Sequence, residues 1–281
     1  MFRIIEKKQL NDITFSLTVH APLVAQNIMP GQFVMVMTDE DSERIPLTIS
    51  DFNKEKGSVT IVFQAIGAST IKLSHKNEGE YLAHFAGPLG AATELEGFTS
   101  ACVIGGGVGC AIALPQAKWL KNSGAKVDLV AGFRNKDIVI LEDEMKSNST
   151  NCIICTDDGS YGVKGFVTNV LKENIENGNK YDCVIAIGPI PMMKAVSDVT
   201  REYGIKTIVS LNPIMIDGTG MCGGCRVKVD GQVKFACVDG PDFDGHLVDF
   251  NELIIRNNMY KKQEAESKEH ICRMYGGIEN V

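Results

Sequence analysis

The sequence has no run of apolar residues that approaches the roughly 18 needed to cross a membrane as a helix. Its first residues, "MFRIIEKKQLNDITF", lack the apolar core and the small-residue cleavage site of a signal peptide. It also lacks an excess of basic residues, since 28 Lys and Arg stand against 35 Asp and Glu and give a net charge of −7. Such a charge provides no long-range attraction for DNA, RNA or anionic lipid. These absences predict a globular protein of the cytoplasm with no nucleic-acid partner and no membrane partner.

Nine cysteines are present, and without an export signal they are expected to be thiols or metal ligands, because cytosolic thiols are kept reduced. Cys102, Cys110 and Cys183 lie in or beside apolar runs, where free cysteine behaves as a small buried hydrophobic residue. Cys152 and Cys155, in "CIIC", have the C-x2-C spacing that is typical of paired metal ligands. A strand would point these two side chains to opposite faces, which places both in the core.

The chain shows two successive patterns. Residues 1–97 contain short β-branched and aromatic runs separated by turn residues, among them "DITFSLTVH", "GQFVMVMT", "PLTISDF" and "SVTIVFQAI", and predict an antiparallel β-barrel. Over residues 98–211, apolar runs alternate with helical segments and predict an α/β domain whose parallel sheet is covered on both faces. A small cysteine-containing segment covers residues 212–250. A polar tail, residues 251–281, is predicted to be helical, and its Cys272 receives no role.

Three of the predicted parallel strands end in glycine-rich or polar loops: "GGGVG", "TDDGS" and "GPIPMM". Because such loops meet at the carboxyl edge of a sheet, they predict a ligand site there, with a pyrophosphate on the glycine turn. A tight turn without a ligand, turn chemistry for Asp157 and Asp158, and helix packing for Met192 remain alternatives. No acidic residue stands about 20 positions after the glycine turn, where one would bind the ribose hydroxyls of a dinucleotide. Arg134 could contact either a ribose or a 2'-phosphate. The choice between NAD and NADP therefore stays open.

The segment Asp217-x4-Cys222-x2-Cys225-x11-Cys237 is the strongest signal in the sequence. Plant-type 2Fe-2S clusters use the spacing C-x4-C-x2-C with a distant fourth cysteine, and Asp217 stands in the place of the first. Glycines in this loop allow the backbone to fold closely over a bound group, with amides available to its sulfides. A structural zinc site is the alternative, although it usually has two paired knuckles.

These motifs resemble the ferredoxin-NADP reductase superfamily, in the branch that contains dihydroorotate dehydrogenase electron-transfer subunits and the small subunits of sulfide dehydrogenase and of NADH-dependent reduced ferredoxin:NADP oxidoreductase. The resemblance covers residues 1 to about 250. It implies an FAD barrel over 1–97, an NAD(P)-binding domain over 98–211 and a 2Fe-2S cluster over 212–250. The residues it implies for FAD are Pro46, Leu47, Thr48, Ile49, Gln64, Gly67, Ser69 and Thr70. Those for NAD(H) are Gly106, Gly107, Val108, Gly109, Arg134, Asp157, Asp158, Gly188, Pro189 and Met192, and the cluster ligands are Asp217, Cys222, Cys225 and Cys237.

Three positions depart from the family pattern. Ile45 stands where the flavin motif has arginine, with Arg44 before it, and Ile187 stands where a cysteine usually precedes the Gly-Pro pair. Asp217 replaces a cysteine of the dihydroorotate branch. The surrounding "DGTGMCGGCRVKV" looks instead like the bifurcating transhydrogenase small subunits, and this favours that branch.

The resemblance implies an FAD and 2Fe-2S subunit that exchanges hydride with NAD(H) and passes electrons to a larger subunit bearing flavin and 4Fe-4S clusters, which uses NADP and ferredoxin. No side chain need act as acid or base, because placement of the two rings suffices. The tail and the surface over Cys222 to Cys237 are expected to contact the partner. The alternatives are a dihydroorotate dehydrogenase electron-transfer subunit and a non-catalytic electron-transfer or zinc-stabilised scaffold.

Overall fold

The computed structural model describes residues 1–274. The first domain contains seven strands and two short helices. The elements are β1 (Phe2–Gln9), β2 (Thr14–His20), α1 (Pro22–Asn27), β3 (Phe33–Met37), β4 (Arg44–Asn53), β5 (Ser58–Gln64), α2 (Ala68–Ser74), β6 (Tyr81–Leu82) and β7 (His84–Leu89). The strands pair in the order β6-β1-β2-β5-β4-β3-β7, and every pair is antiparallel. This nearly closed sheet confirms the predicted antiparallel barrel.

Strand β3 separates the two sides of the barrel wall. Val34 and Val36 point inward and join the barrel core, whereas Phe33 and Met35 belong to a different apolar cluster shared with the second domain and the cysteine segment. Successive side chains of a strand point to opposite faces, so a strand that is buried throughout must have packing on both sides. All five residues of β3 are buried, and this strand therefore lies at the joint between the barrel and the rest of the molecule.

The second domain alternates strands and helices. Its elements are β8 (Ser100–Gly106), α3 (Gly109–Asn122), β9 (Lys126–Phe133), α4 (Glu142–Ser147), β10 (Asn151–Thr156), β11 (Val163–Lys164), α5 (Val167–Glu176), β12 (Cys183–Ile187), α6 (Ile190–Glu202) and β13 (Lys206–Ser210). The order is β11-β10-β9-β8-β12-β13, all parallel, which confirms the α/β prediction.

The core cysteines behave as the sequence predicts. Cys155 packs in the apolar cluster on one face of the sheet, and Cys152 packs against the cluster on the other face. Burial raises the pKa of the Cys183 thiol to about 12 and raises the pKa of the Cys102 and Cys110 thiols still further. These thiols stay protonated at neutral pH, so they are inert packing groups.

The cysteine segment is joined to the α/β sheet. It contributes a hairpin of β14 (Arg226–Val229) and β15 (Gln232–Phe235), and then β16 (Asp242–Asp244), which pairs antiparallel with β13 at the sheet edge. Two helices follow, α7 (Phe250–Asn257) and α8 (Lys261–Met274). Helical structure in the tail is thus confirmed up to Met274, and residues 275–281 of the tail lie outside the described part. Across the described chain, no helix combines the length and the apolarity that crossing a membrane demands.

Candidate functional site

The three predicted loops meet at one edge of the parallel sheet. Strands β8 and β12 are neighbours, and the chain leaves them toward opposite sides of the sheet, which makes their junction a topological switch point. A Cβ on Gly106 would lie 2.5 Å from Met192 Sδ and 3.0 Å from Pro189 Cδ, so only glycine permits this contact between the two loops. A Cβ on Gly188 would in turn lie 3.1 Å from the Gly106 backbone. The sequence-predicted "GGGVG" and "GPIPMM" loops therefore form one surface.

The glycine turn leaves room for a ligand. Gly107 donates its N–H to the Gly132 carbonyl at 2.9 Å, while a Cβ on Gly107 would meet no atom within 4 Å. Val108 caps α3, which begins at Gly109 and whose 14 residues give its amino terminus a positive dipole end. The N–H groups of Cys110 and Ala111 donate to the Gly107 and Val108 carbonyls and hold this first turn. The geometry fits the pyrophosphate that the motif predicts at this place.

The loop after β10 lies beside the loop after β9. The N–H of Asp158 donates to the Arg134 carbonyl at 3.3 Å, and the N–H of Lys136 donates to Ser160 Oγ at 2.8 Å. Asp158 Oδ1 accepts from both Oγ and N–H of Ser160, and these bonds lower the pKa of Asp158. Asp158 therefore shapes the turn, whereas the Asp157 and Arg134 side chains are exposed at this edge.

The predicted flavin strand β4 presents alternate residues to two sides. Pro46 pairs with Met35 and Thr48 pairs with Phe33, so all four share the outward face of the barrel wall. Ile49 is fully buried in the barrel core, and Leu47 packs against the same core. Of the four predicted contacts on this strand, Pro46 and Thr48 offer side chains to a flavin, while Leu47 and Ile49 offer backbone.

The second predicted flavin element is the turn that begins α2. The Gly67 N–H donates to Thr70 Oγ1 at 3.1 Å, and the Thr70 hydroxyl donates back to the Gly67 carbonyl at 3.0 Å. Ser69 Oγ donates to Glu43 Oε2 at 3.0 Å, which brings this turn to the start of β4. Sequence reasoning missed Glu43, because nothing in the local pattern indicates a contact with a residue 26 positions away. Gln64 is the last residue of β5. It is partly exposed, whereas the preceding residue, Phe63, is buried in the barrel core.

The predicted ligands of the cysteine loop differ in burial and in how close they lie to one another. The Sγ atoms of Cys225 and Cys237 are 3.2 Å apart in a buried position, whereas Cys222 is exposed and its Sγ accepts from the Gly224 N–H at 3.4 Å. Asp217 accepts from the N–H groups of Thr219 at 2.7 Å and Cys222 at 3.0 Å. Within residues 1–274, no group of three or more His, Cys, Asp or Glu side chains has the arrangement of a metal site.

This donor set nevertheless fits a 2Fe-2S cluster better than zinc. Asp217, Cys222 and Cys225 lie in one glycine-rich loop, and Cys237 follows the β14–β15 hairpin and returns to Cys225. Backbone N–H groups already point at Cys222 Sγ and Cys225 Sγ. Such N–H donors are the usual environment of cluster sulfur atoms. Burial and the Cys225 thiol raise the pKa of Cys237 to about 12, so binding an iron centre must displace its proton.

The cluster loop touches the barrel wall next to the flavin strand. A Cβ on Gly218 would lie 2.7 Å from Met35 Cγ and 3.3 Å from Leu89 Cδ1, so the loop backbone packs directly on β3 and β7. Met35 pairs with Pro46 of β4. One strand, roughly 5 Å wide, therefore separates the predicted flavin strand from the predicted cluster loop.

A barrel with a flavin-type strand and turn, an α/β domain with a nucleotide-type edge, and a cysteine loop packed against both define an NAD(P)H-dependent flavoprotein oxidoreductase of the ferredoxin-NADP reductase type. Residues 212–249 match the family described as the iron-sulfur cluster binding domain of dihydroorotate dehydrogenase B. The chain belongs to the family of dihydroorotate dehydrogenase B electron-transfer subunits.

Three relatives define this membership. The chain is 44% identical to a homologue of the dihydroorotate dehydrogenase B (NAD(+)) electron transfer subunit from Thermotoga maritima, over 98% of this chain and 97% of the relative. It is 34% identical to the corresponding electron transfer subunit of Geobacillus thermodenitrificans, over 85% of this chain and 94% of the relative. A solved structure of NADH-dependent reduced ferredoxin-NADP oxidoreductase superposes with a TM-score of 0.92 at 41% identity, over 96% of this chain and 97% of that one.

The family and the fold support FAD, a 2Fe-2S cluster and NAD(H), the three cofactors that the sequence predicts. The chain is accordingly an FAD and iron-sulfur electron-transfer subunit, and such subunits imply a larger partner.

Proposed function

We propose that this chain takes hydride from, or returns it to, NAD(H) and passes single electrons to a larger subunit that bears flavin and 4Fe-4S clusters and reacts with NADP and ferredoxin. The observation that carries the proposal is the contact of the cluster loop with the barrel wall, through Gly218 and Met35, one strand away from Pro46 and Thr48. When bound, the flavin supplies the conversion between a two-electron hydride and single electrons, and the cluster supplies the one-electron route outward.

The residues of the chain position the reactants. The glycine turn at Gly107 and the amino terminus of α3 hold the nucleotide pyrophosphate, while Arg134 and Asp157 lie at the same edge to meet the adenosine half. Thr48 presents its hydroxyl to the flavin, and the hydrogen bonds between Gly67 and Thr70 hold the turn that lies beside it. No acid or base is required, because the transfer depends on the relative placement of two rings.

The surface around the cluster loop supports the export of electrons. Each of three predicted ligands has an exposed apolar neighbour in sequence: Ile216 precedes Asp217, Met221 precedes Cys222 and Val238 follows Cys237, with exposed fractions of 59%, 87% and 53%. Apolar side chains grouped at a redox loop are typical of a protein interface. A partner docked here would bring its own centre close to the cluster.

The bifurcating partner is favoured over a dihydroorotate dehydrogenase for two reasons. The solved structure that superposes at 41% identity is described as a flavin-based electron-bifurcating NADH-dependent reduced ferredoxin-NADP oxidoreductase. In addition, the resemblance of the cysteine motif implies a cysteine in the dihydroorotate branch where this chain has Asp217. A partner that oxidises dihydroorotate is the second candidate, since several relatives at 31% to 34% identity are named for that enzyme.

Isolation from the native host tests the proposal. We expect one FAD and about two iron and two sulfide per chain, in a stable heterodimer active with NADH, NADP and ferredoxin. Zinc without sulfide would contradict the cluster. A partner that oxidises dihydroorotate would select the second candidate, and a lone chain fully active with ferredoxin would contradict the need for a partner.

The docking surface is tested in the same preparation with Met221→Asp, which places a charge on the apolar surface beside Cys222 without removing a ligand. Leu23→Asp is the matched control, because Leu23 is also exposed, at 83%, but lies on the barrel in α1. We expect Met221→Asp to lose the partner while keeping its iron and flavin, and Leu23→Asp to retain both. Equal partner retention by the two variants would contradict the proposed surface.

A further inference from the structure

Helix α7 follows directly after the matched residues 212–249 and is held against the cluster segment by hydrogen bonds and packing. Asp249 caps its amino terminus by accepting from the Glu252 N–H at 3.0 Å, and the Asp249 N–H donates to the Lys228 carbonyl of β14 at 2.9 Å. Phe250 and Leu253 are buried in the apolar cluster that also contains Cys225 and Cys237. The helix is therefore held at a fixed position relative to the ligand thiols.

The last turn of α7 extends two side chains to the cluster segment. Arg256 Nη2 donates to the Gly224 carbonyl at 3.2 Å, and Asn257 Nδ2 donates to the Asn212 carbonyl at 3.0 Å. Gly224 lies between Cys222 and Cys225, so the guanidinium reaches the short loop that joins two predicted ligands. Arg256 is half-buried, which reduces the screening of its charge by water.

The loop needs such support. Cys222 and Met221 are exposed, and the short backbone stretch between the thiols gains little from packing. A planar guanidinium keeps its proton under all ordinary conditions and is preorganised to donate, so it can hold a carbonyl at a fixed distance. Its positive charge also favours whichever state of a neighbouring group carries more negative charge.

We infer that Arg256 is a positioning residue for the iron-sulfur cluster, which fixes the 222–225 loop through the Gly224 carbonyl and raises the reduction potential of the cluster by its charge. The inference rests on the proposed function, since it requires that the loop holds a 2Fe-2S cluster. The reduced cluster carries one more negative charge than the oxidised cluster, and a nearby cation stabilises the reduced form. An electron leaving the flavin side would then find a more favourable acceptor.

Three substitutions separate the hydrogen bond from the charge. Arg256→Lys keeps the charge and a donor, Arg256→Gln keeps a neutral donor, and Arg256→Met keeps neither. We expect the midpoint potential, measured by an EPR-monitored redox titration, to shift to more negative values in the Gln and Met variants and to stay near wild type in the Lys variant. Lys262→Met is the control, because it removes a positive charge from the exposed start of α8.

A second readout uses the protein without its cluster. We expect backbone amides of residues 218–225 to exchange with deuterium several-fold faster in Arg256→Met than in wild type or in Arg256→Lys, with equal thermal stability of the domains. An Arg256→Met protein that matches wild type in both potential and exchange would overturn the inference. A wild-type protein that contains no iron and sulfide would instead overturn the proposed function, and the effect on potential with it, so the two failures are distinguishable.

Discussion

Asp217 and Cys237 differ in whether they must lose a proton before they can bind iron. Hydrogen bonds from the Thr219 and Cys222 N–H groups lower the pKa of Asp217, so its carboxylate is already ionised at neutral pH. The Cys237 thiol, with a pKa raised to about 12, must lose a proton before it can ligate. A carboxylate oxygen retains a free lone pair while it accepts one hydrogen bond. Asp217 can therefore bind iron while it keeps the hydrogen bonds that form the turn.

Substitutions at Asp217 separate its two roles. We expect Asp217→Cys to keep the cluster with a shifted potential and EPR signal, because thiolate is a softer donor than carboxylate. Asp217→Asn still accepts a backbone hydrogen bond and maintains the turn, but it should bind the cluster more weakly. EPR spectra and iron content of wild type and of the Cys, Asn and Ala variants provide the test. An unchanged spectrum in Asp217→Ala would show that another group is the fourth ligand.

At the scale of elements, strand prediction succeeds where burial leaves an alternating or continuous apolar pattern in the sequence. Strands β2, β4 and β5 alternate or are rich in β-branched residues, and the sequence predicts them. Strand β1 is different, since Ile4 is its one fully buried residue and the remaining positions face solvent or are half-buried. A strand without alternation produces no period-two signal, and so β1 is found only through its pairing with β2.

The orientation of site residues is equally hard to predict. The motif "PLTI" indicates a flavin strand, but the register with β3 decides that Pro46 and Thr48 face outward while Ile49 faces the barrel core. The glycine loops were easier to predict, because parallel strands bring their carboxyl ends to one edge whatever the sequence between them. Arg256 could not be predicted at all, since its partner Gly224 is 32 positions away.

Helix α8 shows how the polar tail is anchored. Most of its residues are exposed, but Ile271 and Cys272 pack against the barrel core, which includes Ile71 and Leu73 of α2. The tail, expected from its polarity to have no core of its own, therefore shares the core of the barrel. Its exposed face stays a predicted partner contact.

We expect Ile271→Asp to release α8 from α2, because a charge cannot be placed against an apolar core without loss of hydration. Hydrogen exchange of peptides covering 68–74 and 261–274 should become faster, with a loss of stability on the order of 1 to 2 kcal/mol. Ala265→Asp is the matched control, since Ala265 is exposed on the same helix. Equal exchange in the two variants would contradict the packing of α8 on the barrel.

At the scale of the whole molecule, one acidic residue connects three parts of the chain. Asp242 of β16 lies opposite Ser210 of β13, and its Oδ2 accepts from the Thr93 hydroxyl at 2.5 Å in the segment between the domains. Thr93 in turn donates its N–H to the Pro30 carbonyl of the barrel at 2.9 Å. This joint fixes the barrel, the α/β sheet and the cluster segment relative to one another, which a flavin, nucleotide and cluster in electron transfer all require.

The Asp242 carboxyl is buried, although part of the residue remains accessible, and its Oδ1 has no hydrogen-bond partner in the described structure. Burial raises the pKa of Asp242 to about 6, while the hydrogen bond from the Thr93 hydroxyl opposes the shift. Because the folded pKa lies above that of the unfolded chain, near 3.9, the ionised form is disfavoured by folding. Its cost appears as the pH rises above about 4, grows up to about pH 6 and is constant above that.

We therefore expect Asp242→Asn to stabilise the protein at pH 8 by up to about 2 to 3 kcal/mol, the free energy that corresponds to a shift of roughly two pH units. The neutral amide avoids the buried charge and can still accept from Thr93. Urea unfolding of wild type and variant between about pH 4 and pH 8 should show a difference that grows up to about pH 6 and then levels off. Glu94→Gln is the control, because it removes one exposed negative charge beside Thr93 and should show no such growth. A difference between Asp242→Asn and wild type that is the same at pH 5 and pH 8 would contradict a buried, ionising carboxyl at this joint.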